Sequence, residues 1–562
     1  MTRRPVAPPN SALNPYSGVW GKTQITHLLR RTMFGAKKSD VDYFLSKSMT
    51  QTVDELLNTN VNTAPAPPLN SYSYPNCPSD NIDPKINFGE TWVNSTREPG
   101  GIIDQLRTLS TKAWWIGLMI NQERSILEKM VLFWHNHIPI ASSEVNDARN
   151  QYSYLALLRK YAIGNFKSLI KDITINPGML DYLNGDSNIA GNPDENYARE
   201  LQELFCVGKG TDSKYTEDDV KAAAKVLTGW RYRNTDNPPY GYNLANNHDK
   251  TDKQFSSFYK NTIIKGSTDA NKELDDLLNM IFSTDEVAKF IVRKVYTFFV
   301  YYDITPQIET DIITPLADIF RSNNYNILPV LEKLFKSEHF YDAENKSCLI
   351  RPGIDFIVGF CRESELAFPT NAQLEAQYQS WLIISNQASG FQHSPLDPPN
   401  VAGWPAYYQS PQYHELWVNA ITIQARKNAQ LGLISLGNPG LGIAINIRIQ
   451  DPNDSSKTIL KNYGYLKIDT IGIAKRFSKP SDPNVLIQDF LDLYFGYEVS
   501  ATTKANAKKT FLLKNQALDS AWTDAWNKFL ADENNAANKK DVEDRLKNLF
   551  SYSFSIPEYQ LC

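Results

Sequence analysis

Apolar residues at three- and four-residue spacing constrain this chain more than any other feature. Ile25, Leu28, Leu29 and Met33, then Val41, Phe44 and Leu45, fall along one stripe when each residue advances about 100°, as an α-helix requires. The pattern returns in Leu106, Leu109, Trp114, Leu118 and Met119 between Ile102 and Asn121, and again through Leu274–Phe282, Glu286–Tyr302, Ile308–Ser322, Ile327–Ser337 and Ile354–Arg362. Alternation with period two is confined to Ala444–Ile449 and Gly464–Ile468, around Asp451-Pro-Asn-Asp454, and predicts a small hairpin. The expected fold is therefore mainly α: a large helical domain with long irregular loop excursions and a small β-hairpin in the C-terminal part.

Proline and glycine set the boundaries. Residues 1–20 are rich in Pro and Asn and read as an extended N-terminal arm. Residues 21–435 form the main helical domain, interrupted by a Pro-rich excursion over 60–100 of a length often used for function or partner binding. A second irregular stretch, 232–265, is rich in Asn, Asp, Gly and Tyr. Residues 436–562 are a C-terminal extension with the hairpin and further helices, expected to pack on the main domain. At 562 residues the chain exceeds one ordinary core and should bury two or more apolar clusters.

With 42% hydrophobic and 21% charged residues and no apolar run of about 18 or more, membrane insertion is not expected. A net charge of −4, with Lys and Arg scattered, offers no footprint for nucleic acid. Five widely spaced cysteines read as reduced thiols, and two early arginines with no apolar stretch behind them do not make a secretory signal. These features place the chain in the cytoplasm.

Chemical density is highest in Phe133-Trp134-His135-Asn136-His137 and in Glu195–Glu203. His135 and His137 lie about 200° apart on a helix, but Pro139 follows closely, and an extended Asn136–Ile138 would turn both imidazoles to one side. Two imidazoles with Glu200 as a third ligand would suit Zn, Fe or Mn, with Glu203 and Arg199 in catalytic roles and Asn196 orienting the shell. The other reading is a polar network that locks helices together. Arg199 and Glu203, four apart, could equally pair on a solvated face, and His137 shares its face with Ile126, Met130 and Phe133, as a core residue would.

Among the other candidates, Arg30 and Arg31, after His27, could cap helix ends or bind an anion. His248-Asp249 lies in a loop as an additional ligand pair or plain polar surface. Asn400, Gly403 and Trp404, beyond His393 and Asp397, read as a buried turn with an aromatic anchor. Ser125–Glu128, Asn192–Glu195 and Thr216–Asp219 carry helix-start signals, which assigns Glu128 and Glu195 to capping. Cys-x-x-Cys, His-Glu-x-x-His, Gly-rich phosphate-loop and Gly-x-Ser-x-Gly patterns are missing, which disfavours zinc fingers, zincins, nucleotide motors and ordinary serine hydrolases.

His27–Arg31 with Phe34-Gly35, Glu128–His137, Glu195–Glu200, Tyr215–Val220 with Leu227–Trp230, and Pro398–Pro405 together resemble the bacterial family catalogued as domain of unknown function 1800, from about residue 20 to the closing Pro557–Cys562. The resemblance implies no mechanism. Its members are often encoded beside a sulfatase-like family catalogued as domain of unknown function 1501, which implies a partner. Many are exported with a signal sequence, whereas this chain starts almost directly at the domain. Some carry His at the position of Phe205; a ligand supplied there would be missing here. Two functions follow as expectations: a metal-dependent enzyme, hydrolytic or oxidative, using His135, His137 and Glu200, or a non-enzymatic scaffold that binds the sulfatase-like protein.

Overall fold

A computed structural model describes residues 12–58, 64–74, 82–97, 101–210, 212–436, 441–496 and 498–562. It is mainly α. The helices that position the site are α1 (Lys22–Thr32), α2 (Gly101–Asn121), α3 (Leu127–His137), α4 (Ala148–Lys160), α5 (Glu217–Val226), α6 (Asp285–Phe299), α7 (Gly353–Glu363), α8 (Leu374–Gly390), α9 (Ala420–Leu433) and α10 (Ala536–Ser555). The apolar stripe read for the first helix is realised in α1, where Ile25, Leu28 and Leu29 are fully buried. Long α2 packs along α8 because Gly117, in mid-helix, leaves room for an indole: a Cβ there would stand 2.7 Å from the Trp381 ring. Among the described residues no helix is long and apolar enough to cross a membrane.

Three two-stranded antiparallel sheets complete the fold. In the second irregular stretch, β1 (Trp230–Arg231) pairs with β2 (Tyr242–Asn243), and β3 (Lys253–Gln254) with β4 (Ile263–Ile264). The expected C-terminal hairpin is β5 (Ile443–Asp451) with β6 (Asp454–Leu466), in register from Ile443 opposite Leu466 to Asp451 opposite Asp454.

One apolar core runs from Leu13 to Tyr559, so the C-terminal extension shares the core of the main domain. Its joints are aromatic: Phe554 meets Phe360 edge-on at 5.0 Å, and Tyr559 meets Phe356 at 5.8 Å. The described part of the Pro-rich excursion is irregular yet tightly held. Trp92 is fully buried, and Arg107 of α2 grips Asp83 with two hydrogen bonds of 2.9 and 3.1 Å while the Tyr72 hydroxyl donates to the same carboxylate.

The helix-start signals fare unequally. Thr216 and Asp219 form the expected capping box on α5. Glu128 does not cap α3: the Ser125 hydroxyl accepts from the Leu127 N–H, and the Glu128 carboxylate takes two bonds of 2.9 and 2.7 Å from buried Arg159 of α4. A bidentate guanidinium outcompetes a backbone N–H for a carboxylate. Glu195 does not cap either. The helix after it starts at Asn196, whose N–H is met by Asp194, and Glu195 pairs with Arg199 at 2.9 Å.

Candidate functional site

The end of α3 is where the π-helical segment and the Trp404 loop meet, at His137 and Asn136. The helix continues through His137, with Ile138 as its C-cap, so the extended stretch expected at Asn136–Ile138 does not form and the two imidazoles keep their helical separation. Each enters a different pocket. The His135 ring lies edge-on to Trp115 at 5.3 Å and to Trp404 at 5.4 Å. Its Nδ1 is 2.8 Å from the Tyr154 hydroxyl, which donates in turn to the Ile138 carbonyl at 2.9 Å; Nδ1 therefore carries the proton, and the Nε2 lone pair is buried without a partner. The His137 ring sits among Phe133, Phe166 and Phe290 and donates from Nε2 to the Phe205 carbonyl at 2.9 Å. Burial pushes both imidazoles down to about 3, so both are neutral at physiological pH.

The second motif changes helix type. Asn196–Glu200 is α-helical, but Leu201–Cys206 is a π-helix, in which each N–H reaches one residue further back. The extra residue per turn moves every later side chain off the face that a 100° step assigns to it. Phe205 is fully buried and its carbonyl faces His137. Glu200 is half-buried, with Oε2 enclosed and unpartnered; burial first, then the nearby Glu203 charge, raise its pKa. Glu203 pairs with Lys209 at the surface. Arg199 holds Glu195 at 2.9 Å and both oxygens of Glu217 at 2.8 Å, tying this helix to α5. The Asn196 amide donates to the Leu183 carbonyl at 3.4 Å.

His135 and His137 thus have separate surroundings, and among the described residues none of Arg199, Glu200, Glu203 and Asn196 contacts either imidazole by hydrogen bond or ion pair. Among the described residues no group of three or more His, Cys, Asp or Glu side chains is arranged to hold a metal ion.

The Asp397–Pro405 loop clamps the end of α3. Gly403 has φ +84°, and a Cβ there would stand 2.2 Å from the Asn136 carbonyl oxygen, so only glycine fits. The Trp404 N–H donates to Asn136 Oδ1 at 3.0 Å, while its indole lies edge-on to both His135 and His393. Asp397 accepts from the Ser142 hydroxyl at 2.6 Å and pairs with Lys112 of α2. This is the buried turn with an aromatic anchor that the sequence suggests.

The remaining histidines are also bonded within the chain. His27 donates to the Phe340 carbonyl at 3.0 Å, and His393 Nδ1 accepts the Ile354 N–H at 3.2 Å. His248 donates to the Thr228 carbonyl at 2.9 Å and stands 3.3 Å from Glu273, a carboxylate also held by Lys253 at 2.5 Å. That buried trio closes the second irregular stretch.

Three features escape the sequence because they join distant segments. Lys129 of α3 forms a buried ion pair with Asp355 of α7, beside a small chamber. Lys294 of α6 lies over Phe290 and Tyr408, and burial lowers it to about 8. An open cleft of about 970 Å³ runs beside α2, with Asp104, Gln105, Thr108 and Leu109 on one wall and Ser142, Asn146 and Asn234 on the other.

No curated protein and no solved structure matches the chain. A family model, described as protein of unknown function (DUF1800), matches residues 27–561, which takes in all the motif segments. With nearly its whole length matched, the chain belongs to the DUF1800 family.

Proposed function

We propose that this protein is a binding scaffold, a rigid helical platform that docks a partner protein at the cleft beside α2. The observation that carries this reading is the fate of the motif residues. Arg30, Glu128, Lys129, Asn136, His137 and Asp219 each bond to another part of the same chain, so their polarity serves to register helices and loops. The cleft suits a protein surface: beside the Arg97–Asp104 ion pair, Gln105, Thr108, Asn146 and Asn234 offer neutral amides and a hydroxyl, and Leu109 adds an exposed apolar contact. The sulfatase-like protein encoded beside many relatives is the partner to try first. Size-exclusion chromatography of the two purified proteins tests this. A mixed complex that Leu109→Arg abolishes is the expected result, and separate elution of the wild-type proteins overturns it.

A metal-dependent enzyme, with Zn, Fe or Mn at His135, His137 and Glu200, is the second reading. It draws on the enclosed, unpartnered lone pairs of His135 Nε2 and Glu200 Oε2.

A further inference from the structure

Arg30-Arg31 end α1 inside the protein, where charge is costly. Arg30 meets Glu363 at 3.0 Å. Arg31 is 3% exposed and makes no ion pair among the described residues; its Nη2 donates to the Asn345 carbonyl and to Cys348 Sγ, and its Nε is enclosed without a partner. Beside it lies a chamber of about 30 Å³, walled by Arg31, Lys129, Asp355, Tyr407, His414 and Cys562 among others, polar and apolar.

The chamber is lined mainly by donors. The Tyr407 hydroxyl is enclosed and unpartnered. His414 accepts the Ile350 N–H at its Nδ1, so its proton is on Nε2. Lys129 uses one of its three N–H bonds on Asp355. Asp355 Oδ2 is an enclosed acceptor without a partner in the same wall. Charge points the same way. Arg30, Arg31 and Lys129 line the chamber, and Arg351 and Arg426 are buried behind it, with Arg426 bonded to the carbonyls of Arg351 and of the lining Trp417, against the carboxylates of Glu363 and Asp355. Cations therefore exceed anions in a region from which water is largely excluded, and an unmatched buried charge calls for a counter-ion.

We propose that this chamber binds one small monovalent anion of halide size, held by Arg31, Lys129, Tyr407 and His414. The volume admits about two water-sized spheres, too few for phosphate or sulfate. A neutral water would satisfy the unpartnered hydrogen bonds but leave the charge excess in place, and that difference can be measured.

The experiment is thermal unfolding of the full chain as sodium chloride or bromide replaces sodium gluconate at fixed ionic strength, alongside chloride NMR line broadening. The expected result is a melting temperature that rises and saturates with halide, and a chloride line broadened by the wild type. Arg31→Gln abolishes both effects. Tyr407→Phe, which removes one hydroxyl and keeps the ring, raises the half-saturating halide concentration about tenfold, the loss of one hydrogen bond to a charged group. Because Tyr407→Phe disturbs packing least, it decides the matter even where Arg31→Gln does not fold. No saturable halide effect in the wild type overturns the proposal, as does an effect of the same strength in Tyr407→Phe.

Discussion

Helix α3 and the Asn196–Cys206 segment carry the two motifs of highest chemical density, and they use polarity in opposite ways. On α3, Glu128, Lys129, His135, Asn136 and His137 are all buried, and they bond to four other elements: Glu128 and His135 to α4, Lys129 to α7, Asn136 to the Trp404 loop and His137 to the π-helix carbonyl of Phe205. On the second motif, Arg199, Glu200 and Glu203 are half-buried, and Arg199 and Glu203 pair with charges at the surface. The same residue types hold the fold together in one place and decorate it in the other. What separates them is desolvation, since a bond made out of water cannot be exchanged for one to solvent.

The contrast predicts a graded series of effects. Glu128→Gln, which leaves Arg159 buried without its carboxylate, should cost about 3–5 kcal/mol, read as a lower denaturant midpoint. A midpoint within error of wild type would remove α3 from the role given to it. Gly403→Ala, with the side chain driven against the Asn136 carbonyl at positive φ, should cost at least about 1–3 kcal/mol; a neutral result would mean that the loop does not clamp α3.

The imidazoles give a pH signature. His135 and His137 have folded values of about 3, below the ordinary 6.5, so the unfolded chain binds more protons between those values. Their contribution is complete above about pH 6.5 and is lost on acidification toward about 3, at about 1.4 kcal/mol per pH unit for each imidazole. Denaturation midpoints measured at successive pH values should show this slope, and His135→Phe should remove one imidazole's share. An unchanged slope in that variant would show that His135 is already free to charge. At the small end of the series, Arg199→Ala and Glu203→Ala should leave the melting temperature nearly unchanged, because both ion pairs sit at the surface. A large drop in either would erase the contrast.

The helical fold and the C-terminal hairpin are legible in the sequence because apolar periodicity reports directly which face is buried. The Thr216–Asp219 cap is legible for a similar reason, since all its partners lie within one turn. The site is not. The fate of Glu128 depends on Arg159, thirty-one residues away, and Lys129 finds Asp355 across 226 residues. No local pattern encodes either meeting. The π-helix defeats the helical wheel because a single inserted residue rotates Leu201–Cys206 relative to Asn196–Glu200, and only the packed partner, here His137, reveals it. Gly403 is the instructive intermediate: a Pro- and Gly-rich loop announces a turn, while the carbonyl that forbids any side chain belongs to Asn136 on another element.

The most direct test of the claim that these polar residues hold the protein together is elemental analysis of chain purified without chelator or affinity metal, run beside His135→Ala and Glu200→Ala. The account predicts no stoichiometric transition metal in the wild type, with His135→Ala less stable and Glu200→Ala close to wild type. About one equivalent of zinc, iron or manganese, lost in both variants, would contradict it and return His135 and Glu200 to a metal centre.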